Sequence, residues 1–198
     1  MSIICLGKLI DPQLYQSYMA EVDLLPEIIH KYGSLMEVPD YPCLMTYKNE
    51  GNLEGSISFT RNTHKHPLLL SLVEYSFFIF KSIFVSDFPI IKERIHILRT
   101  QGNIPVHKDE SNRKCCINIG LKNSAGAKTF TSSEYKIENF YSSCLTHIAQ
   151  DGYGYLLNTN EFHSVRSTNN DFRYLITYGF GADFLSIKEK LNAAHRIY

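Results

Sequence analysis

Surplus charge of one sign is missing from this 198-residue chain, in which 20 lysines and arginines stand against 20 aspartates and glutamates. Without a positive excess there is no broad field to collect nucleic-acid phosphates or an anionic membrane surface, so neither is an expected partner. Paired cysteines are missing too. Cys5, Cys43, Cys115, Cys116 and Cys144 are odd in number and hold no C-x-x-C pair, which argues against a disulfide framework or a zinc ribbon and for reduced thiols in a cytoplasmic setting. Long apolar runs are scarce. Residues 1–6 lack the basic start and extended apolar stretch of a signal peptide. The most apolar segment, Leu68 to Val85, carries Glu74 and Lys81 and is only marginally long enough to span a bilayer. The expectation is a soluble single domain over residues 1–198 with one core.

Asp11 followed by Pro12 supplies an N-cap oxygen and a proline suited to the first helical turn, and Leu14, Tyr18, Met19 and Val22 recur at helical spacing. A helix is expected over about 12–32, divided or kinked at Pro26 and stopped by Gly33. Residues 34–67 mix turn signals with the strand-like runs Cys43–Tyr47 and Ser56–Thr60. Between Leu69 and Phe84, apolar residues at 69, 72, 73, 77, 80 and 83 make a stripe that reads as a scaffold helix. Residues 1–90 are thus expected to be a helical and mixed support region.

From Ile90 onward the pattern changes to short β-branched and aromatic segments separated by turns. These run Glu93–Leu98, Lys114–Leu121, Ala127–Thr131, Tyr135–Phe140, Leu145–Ile148, Tyr153–Asn158, His163–Arg166 and Phe172–Phe180. About eight such strands suit a jelly roll, giving a mainly β fold, a cupin-like double-stranded β-helix over 91–182 with N-terminal helices. Asp183 then caps a closing C-terminal helix within 183–198, with Phe184, Ile187 and Leu191 on one face.

His107-Lys-Asp109 places an imidazole and a carboxylate two residues apart, so in extended chain both leave on one face and can reach one ion. Alone the pair says little: with 8 histidines in the chain, an H-x-D arises by chance in roughly a third of such sequences, and for the pair by itself a solvated loop is the better reading. His163, 54 positions after Asp109, ends a strand signal that a jelly roll can return beside the first. Two histidines and a carboxylate on one face of an octahedral Fe(II) leave three adjacent positions open for a chelating cosubstrate and O2. Arg173, ten residues after His163, opens a strand after a polar turn, and a buried guanidinium there needs an anion. The distal carboxylate of 2-oxoglutarate would serve. A strand-edge arginine paired with Asp171 or Glu161 is the other reading.

Taken together, His107-x-Asp109, His163 and Arg173 resemble the 2-oxoglutarate/Fe(II) oxygenase superfamily. Ile104-Pro-Val-His107, Cys116–Leu121, Tyr155–Asn158, His163–Val165 and Arg173–Ile176, in that order, are similar to the catalytic half of aspartyl/asparaginyl β-hydroxylase-like proteins over about residues 94–180. The resemblance implies that His107, Asp109 and His163 are the catalytic metal ligands and that Arg173 binds the cosubstrate. It also implies Fe(II), 2-oxoglutarate and O2 as cofactors, and decarboxylation to succinate and CO2 coupled to hydroxylation of an amino-acid or peptidyl side chain. Cys116 and Asn118 stand where that family often has an arginine and a histidine. Asn118 can still donate an amide hydrogen bond to the cosubstrate, whereas Cys116 cannot replace a guanidinium. Asp109 argues for hydroxylation, because related halogenases leave that position empty for a halide.

Two rivals stay open: a cupin-type metalloenzyme that does not use 2-oxoglutarate, and a non-catalytic binding module on the same barrel. The expected partner is a small-molecule, peptide or protein substrate. His64-Lys-His66 lacks an obvious third ligand. Cys115 and Cys116, on opposite faces of a strand, read as small buried groups. His96, His147, Tyr153 and Tyr155 are expected in the core or lining a pocket, and Arg94 and Arg99 as solvated or paired.

Overall fold

The structure, a computed structural model, describes residues 2–31, 39–49, 55–62, 65–67, 70, 71, 74, 78, 95–109, 113–133 and 144–193. Strands β1 (Ile3–Lys8), β2 (Glu27–Lys31), β3 (Cys43–Asn49), β4 (Gly55–Arg61) and β5 (Ile95–Gly102) are followed by β6 (Ile104–His107), β7 (Cys115–Lys122) and β8 (Ala127–Ser132). The last four are β9 (Leu145–Ile148), β10 (Tyr153–Asn158), β11 (Phe162–Ser167) and β12 (Arg173–Phe180). An eight-stranded sheet has the order β1-β10-β7-β12-β5-β4-β3-β2, and a four-stranded sheet has the order β6-β11-β8-β9. From β5 to β12 the chain shuttles between the two sheets, as the jelly-roll expectation required. Gly102 makes the first crossing possible: its φ of 66° turns the end of β5 toward β6 in the opposite sheet, a conformation that penalises a residue with a Cβ.

Strand alternation gives each sheet two chemically different faces. On the large sheet, Ile117, Ile119, Leu156, Ile176, Tyr178 and Phe180 point outward into a core closed by Tyr15, Met19 and Val22 on one side and Phe184, Ile187 and Leu191 on the other. These last three come from α2 (Phe184–Ala193). Asp183 caps it, accepting the Ser186 N–H at 3.0 Å, as the sequence leads one to expect. Cys115 packs in this outer core, while its neighbour Cys116 faces the space between the sheets, and all five cysteines are free thiols.

The N-terminal region departs from expectation. Pro12–Tyr15 is a 3-10 turn capped by Asp11, which accepts the Gln13 N–H at 3.1 Å, and α1 spans only Gln16–Leu24. Leu25, held extended (ψ 143°) by the proline after it, ends the helix, and Glu27–Lys31 becomes a strand parallel to β3. Ile28 and Ile29, two β-branched residues in a row, are better served by that sheet edge than by a helix. β1, which carried no expectation, pairs with β10. The expected helix over 69–84 lies mostly outside the described residues, although Leu70, Ser71, Glu74 and Phe78 are helical. The expected strand Tyr135–Phe140 lies wholly outside them. Among the described residues no helix is long and apolar enough to cross a membrane.

Outside the sheet, Arg99 ties α1 down by an ion pair to Asp23 (3.1 Å) and the start of β2 by one to Glu27 (2.8 Å), and Phe172 stacks over its guanidinium at 4.6 Å. Tyr174 also donates its hydroxyl to Asp23 at 2.7 Å. Arg99 is thus a paired structural group, as the sequence suggested. Ile117, fully buried on β7, is a direct probe of this core. We expect Ile117→Ala to lower unfolding free energy by about 2–5 kcal/mol in urea titration. A loss under ~1 kcal/mol would mean that the outer core does not close over β7.

Candidate metal centre

β11 pairs antiparallel with β6, and the register sets His163 directly opposite His107. Their rings lie 4.1 Å apart between centroids. Each imidazole is pinned from behind: His107 Nδ1 donates to the Pro105 carbonyl at 2.8 Å, and His163 Nδ1 donates to the Glu161 carbonyl at 3.0 Å. A carbonyl only accepts, so Nδ1 carries a proton in both rings and Nε2 is the nitrogen each ring turns toward the shared space. Asp109 follows β6, its N–H donating to the Thr159 carbonyl at 3.0 Å. Its Oδ1 lies 3.7 Å from His107 Nε2 and 3.7 Å from His163 Nε2.

Ligand atoms of His107, Asp109 and His163 all lie within 4.8 Å of one another. Two imidazole nitrogens and one carboxylate oxygen converging from one side form a donor set that fits a divalent transition metal with open positions. Burial, and after it the neighbouring His107, push the His163 pKa down to about 4, so its Nε2 is unprotonated at neutral pH. Pinning by backbone carbonyls is the usual means of orienting a ligating imidazole.

Arg113, which the sequence reading passed over, stands beside these three. Its Nη1 is 3.3 Å from Asp109 Oδ2, an ion pair without the alignment of a hydrogen bond, and its Nη2 donates to Thr177 Oγ1 at 2.8 Å. Burial works against its charge, yet the facing Cys116 and Asp109 more than offset this and leave its pKa raised. The signal available was only its place four residues after Asp109 in a polar run, Asp109-Glu-Ser-Asn-Arg113-Lys.

Arg173 opens β12 opposite Thr100, which in turn faces Ile57, and Ile57 packs against Ile104, Ala127 and Val165 between the sheets. Its side chain therefore lies on the inner face, and it is 6% exposed. Arg173 Nε donates to Thr100 Oγ1 at 3.1 Å, and the guanidinium meets no carboxylate among the described residues. Burial holds its pKa down to about 10. The pairing with Asp171 or Glu161 does not occur: Asp171 bonds Asn169, and Glu161 accepts from Ser2 and Asn158. A buried cation without a counter-ion is costly unless an anion comes to it.

Asn118 shares the inner face, in register with Tyr155 on one side and Thr177 on the other, and its side-chain oxygen faces Cys116 Sγ at 3.5 Å. No hydrogen bond joins it to His107, Asp109 or His163. His147 packs on Tyr155 at 4.2 Å across the gap between sheets. His96 donates its Nδ1–H to the Thr60 carbonyl at 3.1 Å on the inner face of β5. His66 pairs with Glu21 at 3.0 Å. Its sequence neighbour His64, like Arg94, lies outside the described residues.

No protein-family model matches the chain, and no curated protein matches it. Solved structures share its fold. An oxidoreductase of the 2OG-Fe(II) oxygenase family from Burkholderia pseudomallei aligns with a TM-score of 0.51 at 14% identity, over 85% of this chain and 81% of its own. A prolyl-4-hydroxylase from Pseudomonas putida aligns at 0.52 and 11% identity, over 90% and 92%. The epimerase SnoN, in complex with Fe3+, alpha ketoglutarate and nogalamycin RO, aligns at 0.55 and 10% identity, over 89% and 77%. The fold is therefore the double-stranded β-helix found in 2-oxoglutarate/Fe(II) oxygenases.

Burial, followed by the Arg61 charge, lowers the His96 pKa to about 4, and His163 stands at the same value. An unfolded histidine titrates near 6.5, so between about pH 6.5 and 4 the unfolded chain binds more protons. Stability is then fully present above about pH 6.5 and falls as pH drops through that window. His96→Gln should lose about 2–3 kcal/mol less than the parent chain between pH 7 and 4.5, read from metal-free urea unfolding. Identical pH profiles would rule out a neutral buried His96.

Proposed function

We propose that the chain is a non-haem Fe(II)/2-oxoglutarate-dependent dioxygenase that hydroxylates an amino-acid or peptidyl side chain. The observation that carries this reading is the convergence of His107 Nε2, His163 Nε2 and Asp109 Oδ1, on a fold shared with oxygenases of that cofactor class. When bound, the iron with 2-oxoglutarate and O2 supplies the oxidising power to break an unactivated C–H bond, 2-oxoglutarate leaving as succinate and CO2. The protein supplies orientation and exclusion of water.

In this reading His107, His163 and Asp109 hold the metal from one side and leave three adjacent positions for cosubstrate and oxygen. Arg173 receives the distal carboxylate of 2-oxoglutarate through the ends of its guanidinium, while Thr100 orients it through Nε. Asn118, on the same face, offers its amide N–H groups to the cosubstrate. Asp109 fills the position that a halide would need, which favours hydroxylation over halogen transfer. The amino-acid or peptide substrate class rests on the resemblance of the β6, β7 and β10–β12 segments to aspartyl/asparaginyl β-hydroxylase-like proteins. Epimerisation is the second reading, since the fold is shared with SnoN.

Anaerobic titration of Fe(II) and 2-oxoglutarate into the intact chain should produce the visible charge-transfer band of the chelate, and His163→Ala should abolish it. Absence of the band from the parent chain would sink the proposal. Arg173→Ala should keep the metal and raise KM for 2-oxoglutarate by about tenfold or more, because the buried carboxylate loses a charge-assisted pair. Under turnover, succinate formed in step with a substrate gaining one oxygen atom distinguishes hydroxylation from epimerisation, which leaves substrate mass unchanged.

A further inference from the structure

We propose that Arg113 is a positioning residue that keeps Asp109 a one-oxygen ligand and thereby sets how many metal positions stay open. The inference rests on the metal-centre reading above. The two oxygens of Asp109 are used differently: Oδ1 sits 3.7 Å from both histidine Nε2 atoms, while Oδ2 is turned back to Arg113 Nη1 at 3.3 Å. Asp109 Oδ2 is buried and takes no hydrogen bond, so the guanidinium charge is what holds it away.

The guanidinium is itself fixed. Nη2 donates to the buried hydroxyl of Thr177 on β12 at 2.8 Å. One residue ties Asp109 to Arg113, because the Thr159 carbonyl takes the Asp109 N–H at 3.0 Å and the Thr159 hydroxyl donates to the Arg113 carbonyl at 2.6 Å. The Lys114 N–H then donates to the Phe180 carbonyl at 2.9 Å, so Arg113 is anchored to β12 by backbone as well as by side chain.

The consequence follows from counting positions on a six-coordinate ion. Two imidazoles and a one-oxygen carboxylate leave three, enough for a chelating 2-oxo acid and a diatomic molecule. A carboxylate bound through both oxygens leaves two, which the oxo acid and oxygen cannot share. Releasing Oδ2 would tighten the hold on the bare ion while penalising the cosubstrate.

The test uses the full chain as the parent, Arg113→Met, Arg113→Lys and Thr177→Val, with Co(II) affinity, the Fe(II)/2-oxoglutarate charge-transfer titration and thermal melting measured for each. We expect Arg113→Met to bind Co(II) at least as tightly as the parent. Its apparent affinity for 2-oxoglutarate should fall by about tenfold or more, within the range for residues that orient metal ligands. Arg113→Lys should recover most of that loss. Thr177→Val, which frees the guanidinium without removing its charge, should show the same direction at roughly two- to fivefold and serves alone if Arg113→Met does not fold. Co(II) affinity falling together with melting temperature would assign Arg113 a structural role and overturn the inference. Parental 2-oxoglutarate affinity in Arg113→Met would overturn it too, while leaving the proposed function standing. A parent chain without the band removes both.

Discussion

The antiparallel register between β6 and β11 is the constraint on which the site depends. A one-residue slip would turn His163 to the opposite face of the small sheet and leave His107 facing a peptide group. Farther along the same two strands Val165 pairs with Ile104, past a shift in register, and both pack with Ala127 of β8 and Ile57 of β4 between the sheets. Apolar packing between the sheets thus holds β6 and β11 side by side, and the His163–His107 pairing beyond the shift aligns the imidazoles. The carbonyls of Pro105 and Glu161, each two residues before the histidine it holds, complete the arrangement by fixing which nitrogen is free.

Two faces of one sheet carry two different tasks. Outward, β7, β10 and β12 contribute Ile117, Leu156, Ile176 and Phe180 to a closed apolar core that α1 and α2 cover. Inward, the intervening residues are Cys116, Asn118, Tyr155, Arg173 and Thr177, a mixed polar wall. A buried guanidinium is expensive, and of Arg173, which is buried, and Arg113, which is half-buried, only Arg113 meets a carboxylate among the described residues. The outer core supplies the stability that lets the inner face keep Arg173 without a carboxylate partner among the described residues, the usual relation between a stable scaffold and a costly site.

Much of the second half of the chain could be read from local pattern. Cys115–Lys122, Ala127–Ser132, Leu145–Ile148 and Tyr153–Asn158 fall close to the expected segments, because alternation and turn residues there agree with the tertiary context. Glu27–Lys31 did not, since a helical stripe that begins at Leu14 can be extrapolated past Pro26 by spacing alone. The parallel partner that makes those five residues a strand lies 17 positions away at each pair, in β3. β1 was silent for the same reason: its partner β10 is about 150 residues distant, and six residues of mixed polarity declare nothing by themselves.

At the site, residue types and spacing alone made His107, Asp109, His163 and Arg173 candidates, because metal chemistry restricts ligands to few side chains and an extended chain puts alternate residues on one side. Folding decided what spacing cannot express: that β6 and β11 meet with the histidines opposed, that Arg173 is buried without Asp171 or Glu161, and that Arg113 reaches back to Asp109. Each of these is a contact between segments distant in sequence or a choice among several available acids. Such choices belong to the packed molecule, since only packing sets which charges share a low-dielectric space.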